Sequence, residues 1–144
     1  NLWDQELIQQ GLHFLNQSSR GKQLSKYHLE AGIAYWHTFK QDTTEKWERI
    51  LQLYNQLIIL DDSPVAALNR TYALYKAHGK RQAIIEAEKL RLTNDHLYYS
   101  LLGTLYAEID NDLALTNFQL ALSLTKTAEE KSITLKSIEA LKNS

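Results

Sequence analysis

The residues best equipped for chemistry are five histidines, at positions 13, 28, 37, 78 and 96, and no two of them stand three or four positions apart. Two imidazoles on one helix converge on a metal ion only at such spacing, and His-Glu-x-x-His does not occur, so no metal centre is expected. His37 follows Tyr35 and Trp36; it could line a pocket, but a ring packed between helices with one nitrogen on a carbonyl is the plainer role. Serine and histidine both occur, yet there is neither a nucleophile-elbow pattern nor a strand-rich scaffold to display one. The acid pairs Asp61-Asp62 and Glu129-Glu130 fall at expected helix starts, where carboxylates meet the positive end of the dipole without serving as general acids. Neither Gly-x-x-x-x-Gly-Lys nor Gly-x-Gly-x-x-Gly is present, so no nucleotide or other cofactor is expected. With no cysteine, thiolate nucleophiles, disulfides, zinc ribbons and iron–sulfur sites are excluded, as fits a reducing cytosol. No catalytic residue is assigned, and the expectation is a protein that is not an enzyme.

Binding is the remaining class of chemistry. Sixteen Lys and Arg against seventeen Asp and Glu leave a formal charge of −1, which offers no strong positive field for nucleic acid. The basic stretch Lys76, Lys80, Arg81, Lys89 and Arg91 is interleaved with Glu86 and Glu88, the pattern of a solvated helix face with internal ion pairs. Asn69-Arg70 is harder to dismiss, because it interrupts the apolar and small-residue run Val65-Ala66-Ala67-Leu68. An arginine in that setting must pair or emerge in a groove; the expected partner is a carboxylate on a neighbouring helix or loop, with direct partner recognition as the alternative. The candidate partner-binding or structural polar positions are therefore Tyr35, Trp36, His37, Asn69 and Arg70. Three tryptophans and eight tyrosines serve packing first, and some of them can line a concave groove.

The elements that must position these residues are helices. One proline and five glycines in 144 residues leave few places for strands to turn, while apolar residues recur at three- and four-residue steps. Eight helical segments are expected: Trp3 to Gln17, Leu24 to Phe39, Thr44 to Leu60, Pro64 to His78, Arg81 to Leu90, Asp95 to Ile109, Asp112 to Leu124 and Ala128 to Leu141. Ser63 and Pro64 form the firmest start, Asp42 with Glu45 and Thr127 with Glu130 have capping-box spacing, and Gly79 suits a left-handed helix stop. A shift of 31 residues takes Leu74, Tyr75 and Ala83 onto Leu105, Tyr106 and Ala114, and takes Ala87 and Leu90 onto Phe118 and Ala121. Helix pairs that cannot bury their apolar faces alone stack on copies of themselves. The expected architecture is thus all-α, a right-handed tetratricopeptide-like stack of antiparallel helix pairs, forming one domain over residues 1–144. No apolar run is long enough to cross a bilayer, and the start has no charged-then-apolar leader, so a cytoplasmic location is expected. The sequence contains no methionine, which suggests a segment of a longer polypeptide.

Trp3-Asp4 with Leu7-Ile8 and Gly11, Tyr27 through Ala31 to Ala34 and His37, Trp47 with Leu53-Tyr54, Ser63-Pro64-Val65 with Leu68-Asn69-Arg70, and Gly79 together resemble a known family. It is the helical C-terminal extension of one group of bacterial extracytoplasmic-function (ECF) RNA polymerase sigma factors. The resemblance runs over nearly the whole chain, and the Pro-Val to Leu-Asn-Arg block is its most specific part. Where the family commonly has Thr-Asp-Trp, this chain has Thr44-Glu45-Lys46-Trp47. The resemblance implies a regulatory or assembly module of a transcription initiation factor, with two DNA- and core-binding sigma regions upstream of Asn1. Its implied partners are those sigma regions, RNA polymerase or a regulatory protein, with DNA contacted only by the upstream regions and no membrane involved. The alternative is a tetratricopeptide adaptor outside transcription that holds a peptide in its groove.

Overall fold

The computed structural model describes Gln5 and residues 19–143. Among these the backbone forms seven α-helices and no strand: α1 (Ser19–His37), α2 (Thr44–Leu60), α3 (Pro64–His78), α4 (Lys80–Leu90), α5 (His96–Tyr106), α6 (Asn111–Leu124) and α7 (Ala128–Lys142). Apart from Gln5, the expected segment from Trp3 to Gln17 lies outside the described residues. The described chain falls into two compact units that divide between Ala77 and His78.

Local chemistry sets most helix ends. Ser63 Oγ accepts from the amide of Ala66 at 3.0 Å, and Pro64 occupies the first helical position, where no amide hydrogen is needed. Asp95 and Asp110 cap α5 and α6 through the amides of Leu97 and Leu113. The expected pairing of Asp42 with Glu45 is corrected: Thr43 is the cap and accepts from the Lys46 amide at 3.1 Å, which frees the Asp42 carboxylate for tertiary contacts. Helix α1 begins at Ser19, five residues before the expected Leu24, because Arg20, Lys22 and Gln23 have adequate helix propensity without an apolar face. Helix α5 stops at Tyr106, short of Ile109. Glu108 turns to a φ of 71°, and the amides of Ile109 and Asp110 both donate to the Tyr106 carbonyl. Gly79 separates α3 from α4, but with φ 100° and ψ 170° it is extended rather than left-handed helical, a conformation reserved largely to glycine.

The cap of α7 provides a direct test. Thr127 Oγ1 accepts from the Glu130 amide at 3.1 Å, while Glu130 Oε1 accepts from the Lys126 amide at 2.9 Å. Thr127→Ala should therefore cost about 1 kcal/mol, measurable by chemical denaturation, and Thr127→Ser should restore most of it.

In the first unit, α1 and α2 pack together and run antiparallel. Lys26 near the start of α1 reaches Asp61 beyond the end of α2, and His37 at the end of α1 meets Trp47 near the start of α2. Leu29, Ile50 and Leu53 are fully or almost fully buried between them. In the second unit, α4, α5, α6 and α7 each pack on the next. Gly103 on α5 lies under the ring of Phe118 on α6, and Ala83, Ala114 and Ala121 are inaccessible. Among the positions related by 31 residues, Ala83 and Ala114 are both inaccessible, whereas Leu90 is only partly buried where Ala121 is inaccessible.

Candidate functional site

A cleft of about 320 Å³ opens among α1, α2 and α3 in the first unit. Helical periodicity puts its residues on three facing stripes. Ile33, Ala34 and His37 come from one side of α1, Tyr54 and Leu57 from α2, and Val65, Ala66 and Asn69 from the first turns of α3, each set spaced by three or four residues or adjacent. Glu30, Asp61 and Ser63 complete the lining. Five aliphatic side chains, Ile33, Ala34, Leu57, Val65 and Ala66, share the walls with two carboxylates, an imidazole, a phenol, a carboxamide and a hydroxyl.

Each polar group has a defined setting. Asp61 pairs with Lys26 Nζ at 2.8 Å. Asn69 is a hydrogen-bonding partner of the Tyr54 hydroxyl, whose pKa is pushed up by burial while that bond opposes the shift. The His37 ring stands edge-on to Trp47 with centroids 5.7 Å apart. Burial, and then the charge of Lys46, hold its pKa below the usual histidine value, so the ring is neutral near pH 7.

The structure therefore brings together two of the five candidate positions, His37 and Asn69. Tyr35 and Trp36 do not line this cleft; with Phe39 they form an aromatic cluster at the end of α1, with ring centroids 5.3 to 5.7 Å apart and Tyr35 52% exposed. The expected carboxylate partner of Arg70 is corrected. Its Nε donates to Asn55 Oδ1 at 2.5 Å, a carboxamide on α2 being the acceptor that the crossing places opposite it. Asn69 and Arg70 thus hold α3 to α2 through the consecutive residues Tyr54 and Asn55.

A second polar cluster, not singled out from the sequence, fixes the end of the α1–α2 pair. Asp42 Oδ1 accepts from the Trp47 indole N–H at 3.3 Å, and Asp42 lies 3.6 Å from Lys46 Nζ and 3.3 Å from Lys76 Nζ. Lys46 is buried to 6% exposure and donates to the Phe39 carbonyl at 2.7 Å. The four-residue spacing of Asp42 and Lys46 was a visible signal, but Lys76 is supplied by the chain crossing. The hydrogen bond from Lys76, its charge, the Trp47 N–H and the charge of Lys46 hold the Asp42 carboxyl below the usual aspartate range. A depressed folded pKa contributes stability above the unfolded value of about 3.9 and loses it as pH falls through the folded value. Acid unfolding of wild type should thus include protonation of Asp42 below about pH 4; in Asp42→Asn that component disappears, as carboxyl NMR titration and melting curves against pH can establish.

Among the described residues no group of three or more His, Cys, Asp or Glu could hold a metal ion, and no helix is long and apolar enough to cross a membrane. The chain is 32% identical over 133 residues to an uncharacterized protein of Rhizobium meliloti (strain 1021). The alignment covers 90% of this chain and 31% of that protein, so the chain spans about a third of the length of the curated relative it matches. No protein-family model matches the chain, and no solved structure does.

Proposed function

We propose that this chain is a non-catalytic protein-interaction module, the tetratricopeptide-like regulatory extension of an ECF-type RNA polymerase sigma factor acting in the cytoplasm. The observation that carries the interaction reading is the cleft among α1, α2 and α3. Five aliphatic and six polar or ionisable side chains, drawn from three helices and the turn between α2 and α3, line it, a mixed surface suited to receiving a peptide. The transcriptional assignment draws on the sequence resemblance. Its most specific block, Ser63-Pro64-Val65 to Leu68-Asn69-Arg70, supplies the cap of α3, part of the cleft wall and the two side chains that hold α3 to α2. A relative about three times as long as the aligned region accords with a segment of a larger polypeptide. On this reading the module engages the sigma regions of the same polypeptide, core polymerase or a signalling protein, while DNA is read by the sigma regions alone.

The test is reconstituted transcription with core polymerase and the parent polypeptide. Removing residues 1–144 should abolish or strongly reduce initiation, and the separately expressed sigma regions should capture this chain in a pull-down. Unchanged initiation together with failed capture, or sequence-specific duplex binding by these residues alone, would overturn the assignment.

A further inference from the structure

We draw no further inference here: the strongest candidate, the exposed apolar stripe of Leu24, Tyr27 and Tyr35 along α1 with Phe39 beyond its end, is a surface patch that carries nothing, because nothing in the structure shows what covers it.

Discussion

Gly103→Val should destabilise the second unit by about 1 to 3 kcal/mol, toward the upper end of that range, by overpacking the α5–α6 contact. A Cβ built at Gly103 would lie 2.7 to 2.8 Å from Cδ1, Cε1 and Cγ of Phe118. Cγ is the root of the ring, so relief requires the whole buried side chain, 5% exposed, to swing about its stem or α5 to move away from α6. Both responses disturb a packed helix pair. Alanine at the same position meets the same clash with less bulk and gains up to about 1 kcal/mol of helix propensity over glycine, so Gly103→Ala should be milder than Gly103→Val. Phe118→Leu should be less harmful combined with Gly103→Ala than the sum of the two single changes, because the smaller side chain vacates the space the methyl needs. Melting followed by circular dichroism should fall by roughly 4 to 8 °C per kcal/mol for a unit of this size. An unchanged melting temperature for Gly103→Val would contradict the close approach.

Trp47→Ala should cost about 3 to 5 kcal/mol, the largest single loss expected in the first unit. The indole is 7% exposed and holds four neighbours in place. Its ring meets His37 at 5.7 Å and Tyr72 at 5.6 Å between centroids, and the ammonium groups of Lys46 and Lys76 lie 5.2 and 5.8 Å from its centre. Removing it opens a cavity and leaves the buried Lys46 without its aromatic neighbour. Trp47→Phe should lose less, because a six-membered ring remains at the centre of the cluster, although it gives up the N–H donated to Asp42 and part of the buried ring volume. A second readout follows the loss of packing around the indole. His37 owes part of its low pKa to burial, so in Trp47→Ala its pKa should rise toward the ordinary histidine value, as imidazole NMR titration would register. Stability within 1 kcal/mol of wild type in chemical denaturation would refute this account.

Asn69 and Arg70 illustrate how much of the site was legible beforehand. A polar pair in an apolar helix must find partners, and that much follows from desolvation alone. Which partners it finds depends on the crossing of α3 over α2, so the expected carboxylate proved to be Asn55. Asp42 fits the residue preferences of a helix cap, yet Thr43 makes the cap bond and Asp42 turns to Trp47, Lys46 and Lys76. Glu30 carried no signal in one dimension; Asp61 stood out only as half of an acid pair at an expected helix start, and Tyr54 only within the resemblance, with nothing to place either beside His37.

The amino-acid order alone determined that the described chain is helical and where α3 starts, because propensity, capping and periodicity act over a few neighbouring positions. The three-dimensional arrangement decided that His37 and Asn69 share a cleft while Tyr35 and Trp36 stand outside it, and that Glu30 and Asp61 line the same space. Those outcomes depend on the antiparallel register of α1 and α2 and on the crossing of α3. The first rests on burial of Leu29, Ile50 and Leu53, and the second on burial of Ala66, Leu68, Ala73 and Leu74 of α3, and hydrophobic burial is non-directional until the whole unit packs.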